Sequence, residues 1–298
     1  MSSQVVVNTD LPLKIINKGK VRDLYEVNHT LLLVATDRIS AFDVVLPDPI
    51  PSKGICLTQL SKFWFDYMKN IVPNQVISTD ISEFPAELHE YKKELAYRSM
   101  LVKKTKVFPL ECIVRGYISG SAWNSYKKEG TVCGIKLPKG LQESEQFDEP
   151  LFTPSTKAKA GHDINISYEE MKKLVGSDVA QTLKEYSLTI YNTANEYAKK
   201  RGIIIADTKF EFGMLGKEIL WIDEALTPDS SRFWPAAHYK PGKSQPSYDK
   251  QYVRDYLIST GWDKNSSPPH LPKEIILGTT KKYEEAYEKI TGKKFNFR

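Results

Sequence analysis

The segment Gly202-Ile-Ile-Ile-Ala-Asp-Thr-Lys-Phe-Glu-Phe-Gly213 runs from a short apolar stretch directly into alternating charged and uncharged residues. Side chains of a β-strand point alternately to its two faces, so this alternation predicts a strand with one charged face. The charged face carries Asp207, Lys209 and Glu211. The threonine and the two phenylalanines between them can pack inward and hold the charged row rigid. We therefore predict that this strand is the scaffold of a functional site.

A second strand follows after a short connection, at Glu218-Ile-Leu-Trp-Ile-Asp-Glu224. Two strands joined so closely pair as a hairpin, which brings Asp223 near the charged row of the first strand. Carboxylates opposite a lysine suit magnesium and ATP phosphates, because the ion prefers hard oxygen ligands and the phosphoryl group a cation. The alternative is an exposed hairpin whose charges form salt bridges, since charged strand faces are common.

Two further segments predict anion contacts. The run Glu111-Cys-Ile-Val-Arg-Gly-Tyr-Ile-Ser-Gly-Ser121 reads as a strand, a glycine-bearing turn and a helix that starts at Ser121. Free amides at a helix start bind anions, and Arg115 beside them can close on a phosphate with two hydrogen bonds. Downstream of the hairpin, the loop Leu226-Thr-Pro-Asp-Ser-Ser-Arg-Phe-Trp234 offers Arg232 as another contact. For the first segment, the alternative is a plain helix N-cap at Ser121 with Arg115 in an ordinary ion pair. For the second, it is an arginine packed on the neighbouring aromatic rings.

The segment Gly19-Lys-Val-Arg22 joins two predicted strands, so its amides, Lys20 and Arg22 could lie over a nucleotide phosphate. It lacks the spacing of a P-loop and the repeated glycines of a Rossmann turn, so a surface hairpin is the favoured interpretation. The polar loops at 36–43, 53–54, 152–157 and 162–163 are individually uninformative.

Length and composition indicate an ordinary globular protein. The 298 residues are 41% hydrophobic and 27% charged, which predicts one large domain or two closely packed ones. The longest apolar runs are strand-length, far below the ~20 residues of a membrane span. The N-terminal sequence lacks a signal-peptide pattern, so the expected compartment is the cytosol. The net charge of +5 is spread along the chain and suits small anionic substrates as well as nucleic acid.

Cysteine and histidine usage restricts the kinds of metal site. Cys56, Cys112 and Cys133 are too few and too scattered for a disulfide framework or a zinc site, so we expect reduced, mostly buried thiols. The five histidines form no pair at helical ligand spacing. Any metal here is therefore expected to be bound by oxygen.

The order of patterns along the chain predicts an α+β fold with a strand-rich first half that begins with a hairpin. Three prolines at 46–51 predict an ordered loop. A charged helical pattern ends the chain, and no internal repeat is present. Helices are predicted at about 57–70, 85–95, 122–129, 177–200 and 279–291.

Taken together, the motifs resemble the SAICAR synthetase (phosphoribosylaminoimidazole-succinocarboxamide synthase) family, specifically its monofunctional fungal form. The resemblance covers more than two hundred residues in order. It is carried by Gly19-Lys-Val-Arg22, Ala35-Thr-Asp-Arg-Ile-Ser-Ala-Phe-Asp43, Val114-Arg-Gly-Tyr117, Gly120-Ser-Ala-Trp123, Phe152-Thr-Pro-Ser-Thr-Lys157, Ala206-Asp-Thr-Lys-Phe-Glu-Phe-Gly213, Asp223-Glu224 and Pro228-Asp-Ser-Ser-Arg-Phe-Trp234.

The resemblance implies a two-lobed α+β fold. An antiparallel β-rich lobe at 1–110 is similar to the nucleotide-binding lobe of protein kinases, and 111–298 form a mixed α/β substrate lobe with C-terminal helices. ATP lies between the lobes. The implied reaction joins L-aspartate to carboxyaminoimidazole ribonucleotide with ATP and Mg²⁺, through an acyl phosphate. A cytoplasmic monomer that binds no nucleic acid or membrane is expected.

The resemblance also implies roles for individual residues. Glu211 and Asp223 hold magnesium and face ATP, together with Lys20, Arg22 and Lys157. The ribonucleotide 5′-phosphate is held by Arg115, Ser121 and Arg232. Lys209 neutralises the reacting carboxylate beside Asp207, and Ser40, Asp43 and Lys53 line the same cavity. Asp163 orients the aspartate amine, although Ile164 stands where relatives have an acidic residue or proline after the His162-Asp163 pair.

Two other classes of function share some of these sequence features. A small-molecule or protein kinase would share the lobes and the clustered carboxylates, but the His-Arg-Asp and Asp-Phe-Gly motifs of protein kinases are absent from the sequence. A nucleic-acid-binding module is suggested only by a pI near 8.8 and 16 tyrosines. Its aromatic residues are not interleaved with basic clusters, as single-strand binding requires.

Overall fold

The computed structural model describes residues 4–157 and 163–297. The strands are β1 Lys14–Lys18, β2 Arg22–Val27, β3 Thr30–Ala35, β4 Ser40–Ala41, β5 Val44–Val45, β6 Val76–Ser78, β7 Ser99–Lys103, β8 Lys106–Val107, β9 Leu110–Tyr117, β10 Thr131–Val132, β11 Ile135–Lys136, β12 Gln146–Phe152, β13 Ser155–Thr156, β14 Ile203–Leu215, β15 Glu218–Ile222 and β16 Ser231–Pro235. The α-helices are α1 Lys53–Tyr67, α2 Lys92–Leu95, α3 Gly120–Glu129, α4 Tyr168–Val175, α5 Ser177–Lys199, α6 Gln251–Ser259 and α7 Lys273–Thr291. No helix within these described ranges is long and apolar enough to cross a membrane.

The N-terminal lobe is built on an antiparallel sheet with strand order β1-β2-β3-β7-β6. Alternate residues of β3 serve two cores, because Leu33 packs with α1 while Leu32 and Val34 pack on the opposite face. That opposite face is covered by Phe84 and Leu88 from the segment after β6. The predicted β-rich lobe and its hairpin of β2 and β3 are confirmed.

The second sheet has strand order β12-β9-β14-β15, with β8 and β16 also paired to β14. Its long central strand β14 is covered by α5, whose Tyr191 hydroxyl donates to the Ile205 carbonyl at 2.7 Å. Phe210 and Phe212 of β14 lie in the same large core as α1 and α5. Because this core is shared by both sheets, the two lobes are packed closely against each other.

The C-terminal helices pack beside the N-terminal lobe. α7 lies against α1, and α6 lies against α7. A separate apolar cluster joins Val253 and Leu257 of α6 to Ile39 and Leu46 on the loop that carries β4 and β5. α6 is thereby fixed near the end of β14 at which the charged residues lie.

The predicted helices differ from the observed ones mainly at their ends. α5 agrees with the prediction, and α1 begins four residues earlier than expected. The segment predicted as a helix at 85–95 is largely a 3-10 helix, Ala86–Tyr91, followed by the short α2. α7 begins at Lys273 because Pro272 precedes it, and α6 was missed although Val253 and Leu257 are spaced as one buried helical stripe.

Candidate active site

A cavity of about 560 Å³ lies between the N-terminal sheet and the hairpin of β14 and β15. Its apolar part comes from Leu24 and Leu31 of the N-terminal sheet and from Ile222 of β15. Charged side chains from several strands, from the connections between them and from the start of α6 line the rest. These are Lys20, Arg22, Asp23, Asp43, Lys103, Glu111, Lys157, Asp163, Lys209, Glu211, Asp223, Glu224, Asp229, Lys250 and Arg254.

The charged row predicted on β14 is divided between two environments. Lys209 and Glu211 open onto the cavity, whereas Asp207 is buried at 5% exposure and does not line it. Phe210 and Phe212 are buried on the other face of the strand. The alternation expected from the sequence is therefore present, and the charged row links the cavity to a buried cluster beside it.

Glu211 and Asp223 are brought together by the hairpin. Glu211 pairs across the strands with Ile222, and Asp223 follows directly in a left-handed backbone conformation, with φ of 68°. Burial, and then the negative charge of Asp223, raise the pKa of Glu211 to about 7. Lys157 opposes this shift, because its ammonium lies 2.5 Å from the Glu211 carboxylate. The hairpin thus concentrates negative charge that attracts cations.

Cations from the N-terminal lobe face this acidic pair. The Arg22 guanidinium lies 2.8 Å from Asp223 and 3.2 Å from Glu224. Burial alone would lower the Arg22 pKa, but these carboxylates raise it above its ordinary value. Lys20 forms an ion pair with Asp43, and Ser40 lines the same part of the cavity. The five residues predicted for ATP binding therefore all line this cavity.

Lys209 projects from β14 into the cavity at 47% side-chain exposure. Its ammonium lies 2.7 Å from Glu111 of β9 and 4.0 Å from Asp163. Asp163 also lines the cavity, whereas the adjacent His162 lies outside the described residues. Glu111 was not predicted as a site residue; it lies on β9, two residues from Ile113, the residue that pairs with Lys209 across the strands.

Arg115 and Arg232 meet at the buried carboxylate of Asp207. Arg115 Nη1 lies 3.1 Å from Asp207 Oδ2, and Arg232 forms a second ion pair with the same oxygen. Arg115 also donates to Thr153 Oγ1 at 3.0 Å and to Ser121 Oγ at 3.4 Å. Burial and the neighbouring Arg232 charge lower the Arg115 pKa. Two cations share one carboxylate, so this arginine cluster has surplus positive charge beside the start of α3.

α3 starts one residue before the predicted Ser121, with Gly120 as its first residue. Gly120 has φ of 56°, and a Cβ built on it would lie 2.3 Å from Arg232 Nη2. Only glycine therefore lets the guanidinium lie against the backbone at this helix start. The arginine cluster depends on this close approach.

Gly120→Ala is expected to destabilise the protein by about 1–3 kcal/mol more than Gly130→Ala, because the methyl group collides with Arg232 in addition to straining the backbone. Gly130 ends the same helix at φ of 68°, and no atom lies within 4 Å of the place its methyl group would take, so it isolates the backbone effect. Chemical denaturation of both variants measures the difference. Equal destabilisation would show that Arg232 is not held against Gly120.

Lys53 does not line the cavity, which corrects the prediction. It is fully buried at the start of α1, and its ammonium lies 2.9 Å from the Asp229 carboxylate. Lys250 approaches the same carboxylate at 3.1 Å, and the Tyr283 hydroxyl donates to it at 2.6 Å. Although burial alone would raise the Asp229 pKa, Lys250 and Lys53 hold it well below its usual range. Asp229 thus anchors α1, α6 and α7 behind the cavity.

Several site residues had little signal in the sequence. Asp229 stands inside a motif that was noted for Arg232, and Glu224 follows Asp223 directly. Lys250 and Arg254 are spaced by four residues on α6, a spacing that places them on one helical face. Recognising α6 from its Val253 and Leu257 stripe would have exposed that charged face.

The comparisons with known proteins agree on one family. The sequence pattern described as SAICAR synthetase matches residues 15–269. The phosphoribosylaminoimidazole-succinocarboxamide synthase of Syntrophotalea carbinolica is 54% identical over 292 residues, 97% of this chain and 99% of that protein. The enzyme of the same name from Thermodesulfovibrio yellowstonii is 56% identical over 288 residues, 96% and 99% of the two chains.

Two solved structures show the same fold. The SAICAR synthase of Saccharomyces cerevisiae complexed with SAICAR superposes with a TM-score of 0.91 at 50% identity, covering 98% of this chain and 99% of that one. A SAICAR synthetase in complex with ADP gives a TM-score of 0.70 at 26% identity, covering 95% of this chain and 100% of that one.

Proposed function

The chain belongs to the SAICAR synthetase family, and from this we propose that it is the ATP-dependent ligase that joins L-aspartate to carboxyaminoimidazole ribonucleotide in purine biosynthesis. The products are SAICAR, ADP and phosphate. The observation that carries the proposal is the cavity in which Lys209, Glu211 and Asp223 stand together. An ammonium group and paired carboxylates beside one another suit a reaction between a substrate carboxylate and a triphosphate.

We propose that ATP lies at the end of the cavity where Lys20, Arg22 and Lys157 face Glu211 and Asp223. The apolar side chains of the N-terminal sheet at that end suit a nucleotide base, and the cations suit its phosphates. That the chain binds an adenine nucleotide is supported by the family relative that was solved with ADP.

Magnesium fits the Glu211 and Asp223 carboxylates. The described part of the chain has no group of three or more His, Cys, Asp or Glu side chains that could hold a metal ion by themselves. Two carboxylates nevertheless suit an ion that takes its remaining oxygens from phosphates and water. Burial and the repulsion of Asp223 raise the Glu211 pKa, and a bound cation relieves that repulsion. Magnesium bound there offsets the charge of the triphosphate.

We propose that the arginine cluster holds the 5′-phosphate of the ribonucleotide. Arg115, Arg232 and Ser121 converge with surplus positive charge at the start of α3, where free amides add further donors. A phosphate bound there takes over some of the ion-pair contacts that Arg115 and Arg232 otherwise make with Asp207. The imidazole carboxylate then extends toward Lys209, two residues along the same strand.

The reaction proceeds in two steps. An oxygen of the imidazole carboxylate attacks the γ-phosphorus and releases ADP, which forms an acyl phosphate. The aspartate amine then attacks the acyl carbon, and phosphate leaves with that carboxylate oxygen. Lys209 stabilises the negative charge of the carboxylate and of the acyl phosphate, Asp207 fixes the arginines, and Asp163 orients the amine. The protein positions the reacting groups and stabilises their negative charge, which are the main requirements of phosphoryl transfer.

We assign residues 1–110 to the nucleotide lobe and 111–298 to the substrate lobe. The strands of the first sheet end with β7 at Lys103, and those of the second sheet begin with the short β8 at Lys106 and the long β9 at Leu110. All three cysteines are free, which supports a reducing compartment such as the cytosol. We also propose that the enzyme acts as a monomer, which light scattering of the purified protein tests.

Substrate-dependent ADP release tests the proposed function. Sustained ADP release over many turnovers is expected only when magnesium, L-aspartate and carboxyaminoimidazole ribonucleotide are all present, because without L-aspartate the reaction stops at the acyl phosphate. A protein kinase or a simple ATPase would sustain ADP release without one of the two acids, and that result would refute the proposal.

The pKa of Glu211 makes a prediction about pH. A folded-state pKa of about 7, against 4.5 for the ordinary group, means that burial of the charged form costs stability as pH rises from 5 to 8. Without magnesium and nucleotide, Glu211→Gln is therefore expected to stabilise the protein at pH 8 by about 1 kcal/mol, or about 2 °C in Tm, and to have little effect at pH 5. Thermal unfolding at both pH values measures this. Glu218→Gln, at the exposed start of β15, is the control, and equal shifts at the two pH values would contradict the assignment.

A further inference from the structure

We propose that a groove beside the C-terminal half of α1 binds a nucleoside monophosphate, at a site separate from the catalytic cavity. The groove has a volume of about 570 Å³, which is as large as the catalytic cavity. Sites of this size hold small molecules. The inference goes beyond the proposed function and does not depend on it, because the groove takes no part in the proposed reaction.

α1 presents different faces to the two cavities. Phe63 and Tyr67, four residues apart and therefore on one face of the helix, line the groove. On another face, the Ser61 hydroxyl accepts a hydrogen bond of 3.1 Å from the Ala225 amide, next to Glu224, which lines the catalytic cavity. Among the residues that the structure describes, none lines both cavities. Ligands can therefore occupy both at the same time.

Aromatic rings from two parts of the chain line the groove. Phe63 and Tyr67 stack with 5.9 Å between their ring centres and 14° between their planes, and Tyr67 is 46% exposed. Tyr287 of α7 and Phe297 of the segment after it contribute two more rings, with centres 5.5 Å apart. Exposed aromatic rings stack on the flat face of a nucleic-acid base, whichever base it is. The rings therefore favour a ligand with a heteroaromatic ring.

The charged side chains of the groove are mostly positive. Three lysines, Lys62, Lys293 and Lys294, line it together with the single carboxylate of Asp66. Lys62 pairs with Asp66 at 2.5 Å, whereas Lys294 lies 3.3 Å from Glu288. The Lys293 ammonium forms no hydrogen bond or ion pair within residues 4–157 and 163–297. The positive charge left over favours an anion, and a phosphate can accept hydrogen bonds from several ammonium groups.

Rings and cations in one groove favour a ligand that carries both an aromatic ring and a phosphate. An inorganic anion would leave the rings uncovered, and an aliphatic acid would not stack on them. Asn296 also lines the groove, and its amide can donate to and accept from the edge of a base. A nucleoside monophosphate combines these features in a molecule of suitable size.

Equilibrium dialysis with guanosine 5′-monophosphate tests the site. The protein is kept in saturating ADP and magnesium, so that the probe does not compete for the catalytic cavity. One nucleotide per chain is expected to bind. Lys293→Ser and Tyr67→Ala should each weaken this binding about 10-fold, the effect expected for the loss of a charged hydrogen bond or a stacked ring. Both side chains are exposed, so folding should be preserved.

Lys139→Ser, which removes an exposed lysine outside the groove, is the control and should bind the nucleotide like the wild type. Guanosine and inorganic phosphate, each tested alone, should bind at least about 10-fold more weakly than the nucleotide, because each uses only half of the groove. Absence of nucleotide binding, or equal binding by the wild type and both groove variants, would overturn the proposal. Inorganic phosphate binding as tightly as the nucleotide would also overturn it, because the rings would then contribute nothing.

The outcome is independent of the proposed reaction. The two substitutions in the groove locate the site, whether or not the catalytic cavity joins L-aspartate to the ribonucleotide. Loss of nucleotide binding in the variants with unchanged ADP release would show that the groove is a separate site. ADP release that falls in the variants as much as nucleotide binding, without any nucleotide added, would contradict that separation.

Discussion

Lys209→Ala is expected to lower kcat about 100- to 1000-fold, the range observed when a group that stabilises developing charge is removed from an active site. Lys209 is the ammonium group that we place beside the reacting carboxylate, where it offsets the charge of both the carboxylate and the transferred phosphoryl group. Its removal also leaves Glu111 without its ion-pair partner at 2.7 Å, which further repels an anionic substrate. Stability should change little, because Lys209 is half exposed and exposed ion pairs contribute weakly.

Steady-state ADP release and denaturant unfolding together test this prediction. Lys217→Ala removes another exposed lysine from the same hairpin, outside the cavity lining, and serves as the matched control. Lys209→Ala with wild-type turnover would exclude Lys209 from the chemistry. Equal losses of turnover in both variants would indicate a general effect of charge on the hairpin.

Asp229→Asn is expected to destabilise the protein by about 3–5 kcal/mol, the cost of removing one partner of a buried ion pair. The substitution keeps the size of the side chain but leaves Lys53 fully buried without a counter-charge. Lys250 also loses its partner, although it can turn toward the cavity. Because Asp229 joins the starts of α1 and α6 to α7 through Tyr283, the loss should affect the whole C-terminal part of the fold.

Urea denaturation measures the effect, with Asp255→Asn on the exposed face of α6 as the control. The double substitution of Lys53→Met and Asp229→Asn should recover part of the lost stability, because it also removes the uncompensated buried charge. A destabilisation below about 1 kcal/mol for Asp229→Asn, typical of exposed ion pairs, would show that the pair is not buried as described.

The sequence predicted those parts of the site that lie on a single strand or hairpin. The alternation in Gly202–Gly213 specifies that Phe210 and Phe212 are buried opposite Lys209 and Glu211, and the short connection to Glu218 specifies the hairpin. Both follow from the geometry of a strand, so Glu211 and Asp223 could be placed together before any contact was known. Arg115 and Arg232 were predicted as separate anion contacts, and the structure joins them through Asp207.

Long-range pairing could not be read from the sequence. Lys53 stands in a polar segment that resembles a cavity loop, yet it is buried because Asp229, far along the chain, supplies its counter-charge. Lys250 was missed for the same reason, since its partner lies in a different motif. The 85–95 segment has helical composition, but Ala86–Tyr91 forms a 3-10 helix whose Leu88 packs on the N-terminal sheet, and only Lys92–Leu95 continues as an α-helix.

Oxygen transfer provides the most direct test that substrate carboxylate and triphosphate react side by side in this cavity. Carboxyaminoimidazole ribonucleotide labelled with ¹⁸O in its carboxylate is incubated with ATP, magnesium, L-aspartate and the protein, and the phosphate released is examined by mass spectrometry. Attack of the carboxylate on the γ-phosphorus predicts one ¹⁸O atom in each phosphate formed. Unlabelled phosphate, released alongside SAICAR, would contradict the proposed chemistry.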